Sequence, residues 1–440
     1  MTEKSEGSSR RRGPAHAHAE GGRVQGIRFK GGNRMGFHTL DDFDLRGKRV
    51  LLRVDINSPV DEKTLALEDG SKIMSSVPTI REIVDRGGKL VVLAHQGRPG
   101  DYDFIPLNEH ANYLSRYLGR RVRYVDDIFG GHALKVIEGL GEGECVLMKN
   151  VRFFGEEQAS KSPDEHAESD LVKVLAPKFD LFINDAFASS HRSHASLVGF
   201  TAVLPSAAGR LLEKEITTLS EVFQAPKRPS TYIFGGKKLG DALQAIEALA
   251  KRDSVDHILV AGLAGYGYLW CLGKHVGSGT ELLVRKDLDG GAADLARKLW
   301  EAHADKIVLP TDAAVDEGGE RKEYPVGSLP EKAAVLDIGH DTIKRFTDII
   351  SGSKTVFLSG PPGVFEREKF AEGTRAVYDA IVESDSFSVI GGGHSTAAAN
   401  KLGLKDRFSY CSTGGGALER LMLGRPMPVI EALRESAKRA

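Results

Sequence analysis

Ten short, continuously apolar runs recur along this chain, at 49–54, 89–93, 144–148, 180–183, 231–234, 257–260, 306–309, 354–358, 386–390 and 408–411. Between them lie longer stretches, among them 132–139, 164–176, 241–250, 291–303 and 366–383, whose apolar positions repeat near the 3.6-residue helical period. A strand that is apolar along its whole length has no solvent face, so it belongs in a parallel sheet covered by helices on both sides. Ten such strands are more than one domain comfortably holds. The pattern therefore predicts an α/β chain of two doubly wound parallel-sheet domains, with the amphipathic stretch 207–223 as a long helix joining them. The expected division is a disordered basic tail at 1–34, an N-terminal α/β domain at 35–206, the connecting helix at 207–224, a C-terminal α/β domain at 225–425, and a closing segment at 426–440 that returns to the N-terminal domain.

Charge narrows the function classes. The formal net charge of −1 is a cancellation: residues 1–34 hold eight Lys and Arg against three Glu, leaving 52 Lys and Arg against 58 Asp and Glu in the rest. An acidic body does not coat nucleic acid, and the tail is too poor in bulky apolar side chains to fold alone. It reads as a solvated arm, or as residues upstream of a true start at Met35. The apolar runs are far shorter than the roughly 20 residues a membrane helix needs, and no apolar stretch near the N-terminus resembles a secretory signal. Cys145, Cys271 and Cys411 are sparse and unclustered, which suits a reducing compartment and excludes a zinc knuckle. The expectation is a soluble, cytoplasmic protein.

Ligands of open parallel sheets bind beyond the carboxyl ends of the strands, so the residues just after each run locate the site. In the first half they are Arg53, Asp55 and Asn57; His95, Gln96, Gly97 and Arg98; Asn150 and Arg152; then Asn184 and Asp185, with His191 and Arg192 soon after. In the second half they are Gly235, Gly236, Lys237 and Lys238; Gly360 and Gly363; Gly391, Gly392, Gly393, His394 and Ser395; and Gly414, Gly415 and Gly416. Guanidinium forks that converge suit a small polyanion. Glycines between a strand and a helix let backbone N–H groups approach phosphate at the positive helix end. One half would hold a small anionic substrate and the other a nucleotide, with Lys238 neutralising charge on a group passing between them. Neither a P-loop nor a dinucleotide fingerprint occurs: Gly262-Leu-Ala-Gly-Tyr-Gly267 has the wrong spacing.

At these residues the chain resembles the phosphoglycerate kinase family, in its archaeal-type branch. The resemblance rests on nine motifs in order, from Arg53-Val-Asp-Ile-Asn-Ser-Pro59 and Ala94-His-Gln-Gly-Arg-Pro99 through Asn150-Val-Arg-Phe153, Asn184-Asp-Ala-Phe187, His191-Arg192 and Gly235-Gly236-Lys237-Lys238 to Gly360-Pro-Pro-Gly-Val-Phe-Glu366, Gly391-Gly-Gly-His394 and Ser412-Thr-Gly-Gly-Gly-Ala417. It implies reversible phosphoryl transfer between Mg²⁺-ATP and the carboxylate of 3-phosphoglycerate, giving ADP and 1,3-bisphosphoglycerate, by a monomer whose two domains close about a helical hinge. By the resemblance, Arg53, Asp55, Asn57, Lys72, His95, Gln96, Gly97, Arg98, Arg152, His191 and Arg192 bind the phosphoglycerate. Gly235, Gly236, Lys238, Gly262, Glu366, Gly391, Gly392, Gly393, His394 and Ser395 bind the nucleotide, and Lys72, Lys238, Gly393 and Gly415 take part in transfer.

The departures are as informative. Lys72 stands where the family usually has an arginine, Lys237 is an added cation, and Ala242 replaces a second lysine. Lys149 and Ser359 replace a frequent Glu and Asn. His394 stands where most of the family has a magnesium-binding Asp, so the implied metal contact lies near it without being fixed. A diverged paralogue acting on another phosphorylated carboxylate, and a weakly active nucleotide binder, stay open as alternatives.

Overall fold

The computed structural model describes residues 35–439 except Asp287 and Asp289, so the expectation for the basic tail at 1–34 lies outside the described residues. The first seven strands are β1 (His38–Thr39), β2 (Arg49–Val54), β3 (Lys89–Leu93), β4 (Val122–Val125), β5 (Cys145–Met148), β6 (Leu181–Asp185) and β7 (Ser206–Ala208). They form one parallel sheet in the order β1-β7-β6-β2-β3-β5-β4. Alternation explains their continuous apolarity. Val50, Leu52, Leu90, Val92, Leu147 and Ile183 pack into a core on one face, whereas Leu51, Val91, Val146 and Phe182 pack into a second core on the other. Neither face is left for water.

The remaining strands are β8 (Ser230–Phe234), β9 (His257–Val260), β10 (Ile307–Val308), β11 (Asp312–Glu317), β12 (Glu320–Pro325), β13 (Val335–Ile338), β14 (Thr355–Ser359), β15 (Phe387–Gly391) and β16 (Tyr410–Cys411). Six of them make a second parallel sheet, β10-β9-β8-β14-β15-β16. The other three make an antiparallel sheet, β12-β11-β13, which the sequence reading did not anticipate. Its outer strand, Glu-Arg-Lys-Glu-Tyr-Pro, is polar throughout, so the rule of continuous apolarity passes over it.

The connecting helix spans Arg210–Gln224, not 207–223. Ser206–Ala208 pairs with β6 and β1 as β7, so strand pairing overrides the helical propensity of the two alanines. Leu212, Ile216, Leu219, Val222 and Phe223 bury one face of this helix in a core shared with Phe187 and Leu197 of the first half and Phe234 and Phe357 of the second. The stretch 164–176 is broken into helices Pro163–Ala167 and Asp170–Leu175, and the helix expected from 366 runs Glu372–Glu383. The terminal helix Pro428–Arg439 returns to the first half, where Arg434 Nε donates to the Met35 carbonyl at 3.2 Å and Ser436 Oγ to that of Leu204 at 3.4 Å.

Candidate active site

In the first sheet the strand order reverses between β2 and β6, where a crevice opens for ligands. Arg53 ends β2 opposite Asn184 of β6 and is almost fully buried. Its guanidinium donates from Nε to Ser196 Oγ at 2.8 Å, from Nη1 to the Val54 carbonyl, and from Nη2 to His95 Nδ1 at 3.1 Å. Arginine only donates, so His95 Nδ1 must be the accepting nitrogen and the imidazole proton sits on Nε2. Burial, reinforced by Arg53, Arg152 and Arg192, holds His95 well below its ordinary pKa against the pull of Asp55. Thus a neutral His95 offers one N–H donor.

Asp55 is shifted the same way from a different balance. Burial alone would raise its pKa, but the Lys72 ammonium, the Ser189 hydroxyl and the Arg53 guanidinium hold the carboxyl below the usual range. Ser189 Oγ donates to it at 2.6 Å, the Asn57 amide at 3.2 Å, and Lys72 Nζ stands 4.0 Å away. Lys72 lies at the start of the helix Ser71–Asp85, which tolerates Pro78 within it. Asn57 Oδ1 accepts from the Gly97 amide at 2.9 Å, and the Gly97 carbonyl accepts from Arg152 Nη1. Burial first, then neighbouring guanidinium charge, brings Arg152 down to about 10; its buried Nε has no hydrogen-bond partner. Arg98 is exposed, and Arg192 Nε donates to His191 Nε2 at 3.3 Å. Gln96 differs from the rest, because its fully buried amide is bonded to both backbone groups of Ser58 and to His110. It supports the loop from within. Glu157, which sequence reasoning missed, is fully buried and accepts from the Ser196 amide and hydroxyl at 2.9 and 2.6 Å; burial raises its carboxyl pKa against the pull of Arg53, which shares Ser196 with it.

The second sheet reverses between β8 and β14, and a cavity of about 800 Å³ opens there. Its floor exists because two backbones cross without side chains. A Cβ on Gly235 would stand 2.5 Å from the Gly360 carbonyl oxygen, and one on Gly360 would stand 2.4 Å from that of Gly235. Gly360 also has φ +93°, which a side chain disfavours. Gly236, Lys238, Gly262, Glu366, Gly392, Gly393, His394, Ser395 and Gly415 all line this cavity. Gly391 does not: a Cβ there would meet Leu418 Cδ2 at 2.3 Å, so it is a packing glycine against the helix Gly416–Met422, just before the helix Gly393–Leu402. Ser395 Oγ accepts from the Gly360 amide at 2.6 Å and ties that helix to the crossing. Sequence reasoning missed the apolar wall of Leu263, Leu283, Val335, Leu336 and Phe365, because much of it comes from the unanticipated antiparallel sheet and exposed helix positions.

The loop 412–416 joins the two regions. A Cβ on Gly414 would stand 2.3 Å from the Phe187 ring, and one on Gly416 would stand 3.4 Å from His191 Nε2. Thr413 shares a small crevice with Asp55, Lys72 and Phe187. Glu215 of the connecting helix, fully buried, accepts from Ser412 Oγ at 2.8 Å and from the Thr413 amide and hydroxyl at 2.6 and 2.7 Å. The cation cluster and the glycine-floored cavity therefore meet at this loop and the helix that anchors it.

Fold and site are those of a two-sheet α/β protein with a cationic cluster beside a glycine-floored cavity. Comparison with known proteins gives its family. A profile described as phosphoglycerate kinase matches residues 40–425. The phosphoglycerate kinase of Methanothermobacter thermautotrophicus is 43% identical over 400 residues, covering 91% of this chain and 97% of that one, and the enzyme of Methanosarcina mazei is 43% identical over 399 residues, covering 90% and 95%. The crystal structure of the phosphoglycerate kinase from Pyrococcus horikoshii superposes with a TM-score of 0.83 at 36% identity, covering 92% of this chain and all of that one. The structure from Coxiella burnetii gives 0.79 at 29% identity, covering 91% and 100%. The chain belongs to the phosphoglycerate kinase family, on its archaeal-type side.

Proposed function

We propose that this chain transfers the terminal phosphoryl group of ATP to the carboxylate of 3-phosphoglycerate, and back. The observation that carries the reading is the approach of the cation cluster around Asp55 and His95 to a glycine-floored cavity across the loop 412–416. A carboxylate oxygen of 3-phosphoglycerate attacks the γ-phosphorus in line, a P–O bond forms, the bond to the β-phosphate oxygen breaks, and ADP leaves with that electron pair. Arg152 Nε, the neutral His95 Nε2–H, Arg98 and Arg192 are the donors assigned to the phosphoglycerate, with Asp55 holding Lys72 at its edge. Amides of Gly392, Gly393 and Gly415 at helix starts are assigned to phosphate, Lys238 to the migrating group, and Glu366 to the sugar.

Mg²⁺ takes oxygen ligands and keeps several waters, binding through one or two carboxylates plus nucleotide phosphates. The cavity fits such an ion. Glu419 lines it with no ion-pair partner among the described residues and would hold the metal jointly with the phosphates, whereas the exposed His394 imidazole suits Mg²⁺ poorly. Bound there, the ion would neutralise phosphate charge. The units assigned to the two substrates are 35–206 and 225–425, joined by 207–224, with 426–440 closing on the first. One chain supplies both sites, so a monomer suffices, and its three free cysteines suit a reducing cytoplasm. No helix among the described residues is long and apolar enough to cross a membrane.

A coupled assay of the purified protein with ATP, Mg²⁺ and 3-phosphoglycerate tests the reading. Turnover of roughly 1–100 s⁻¹ is expected, as for kinases generally. Slower turnover despite normal binding of both substrates would contradict it.

A further inference from the structure

Phosphate sites need cations, and the large cavity is short of them. Among the described residues, Lys237 and Lys238 are the only Lys or Arg side chains in its lining, which also includes Asp241, Glu366 and Glu419, and an Asp337 whose carboxylate is answered by Arg321 at 2.8 Å. The two lysines are not equivalent. Lys238 Nζ lies 3.3 Å from Asp241 Oδ2, one turn along the helix Leu239–Ala250 that Lys238 begins, so part of its charge is already answered. Lys237 makes no hydrogen bond or ion pair among the described residues, and follows the two glycines whose backbone floors the cavity. Nothing further along that helix can compensate, because Ala242 lines the cavity nearly buried and uncharged.

We propose that Lys237 is a second catalytic cation, which contacts the migrating phosphoryl group and carries charge that the paired Lys238 supplies only in part. The inference rests on the kinase reading and names a residue within that site. Charge spreads over three equatorial oxygens in phosphoryl transfer, so a second ammonium matters most where that group passes. ADP lacks the group and should be nearly indifferent to the residue.

The test is steady-state kinetics of the full chain and of Lys237→Met, Lys237→Arg and Lys237→Met/Asp241→Asn, together with calorimetric ADP binding. Lys237→Met should lower kcat about 10- to 100-fold, while the Kd for ADP changes less than about threefold, a split that general disruption of the site would not give. Lys237→Arg should keep kcat within about threefold of the native chain, because the charge remains. Adding Asp241→Asn should recover part of the loss by freeing Lys238. A Lys237→Met kcat within about twofold of the native value overturns the inference alone. A native chain inert with both substrates overturns the kinase reading, and this inference with it.

Discussion

His95 and Asp55 are both deprotonated in the same buried cluster, which leaves one neutral and the other anionic, and their neighbours explain why. Asp55 is surrounded by cations and a hydroxyl donor, whereas His95 is buried among guanidinium groups. The linkage has a definite sign. An unfolded histidine titrates near 6.5, while burial holds folded His95 well below that, and holds His110 at about 4 and His194 at about 3. Each contributes stability that is lost as pH falls below about 6.5, because the unfolded state then binds more protons. Denaturant midpoints should drop between pH 7 and pH 5, and His95→Gln should flatten that slope; an unchanged slope would show that His95 is charged in the fold. Arg152 gives a second check. Arg152→Lys keeps the charge but loses the fork and the buried Nε donor, so affinity for 3-phosphoglycerate by calorimetry should fall about tenfold with ADP affinity unchanged. At this scale the strand-end arginines were legible because a cation closing an apolar strand is conspicuous. Glu157 was not, since one of two adjacent Glu residues in a polar loop carries no periodic signal until folding sets it beside Arg53. For the same reason sequence could not separate Gln96, a strut, from His95, a donor one residue away.

The connecting helix is fastened in its first two turns by buried carboxylates. Asp185 Oδ1 accepts from the Leu212 amide at 3.0 Å in its first turn, and burial pushes the Asp185 carboxyl up to about 7. Further along, Glu215 gathers three donors from Ser412 and Thr413. Glu215→Ala would strand those donors in a dry interface, each buried unpaired group costing about 1–3 kcal/mol. A net loss of about 2–4 kcal/mol is expected in equilibrium denaturation, with Glu215→Gln losing less because one acceptor remains; a change under 1 kcal/mol for the alanine variant would show the contact to be incidental. Most strands were legible because burial on both faces writes an unbroken apolar run. What escaped lacks that stamp: β7 is three small residues, β12 opens with four charged ones, and the helix Ser71–Asp85 hides behind Pro78. Their place is decided by tertiary partners, which local periodicity does not encode.

Across the whole molecule, two parallel sheets turn their switch points toward one loop, and the division of labour follows from composition: arginine and histidine end the strands of one, glycine those of the other. On the proposed reading, that arrangement holds two anions on separate units and requires both before anything reacts. The order of binding steps is therefore the most direct test of the central claim. Initial rates measured over a grid of ATP and 3-phosphoglycerate concentrations should give intersecting double-reciprocal lines, the pattern of a ternary complex in which phosphoryl passes straight from one substrate to the other. Parallel lines, with release of ADP before 3-phosphoglycerate is added, would mean that the protein itself takes the phosphoryl group, and would contradict the account.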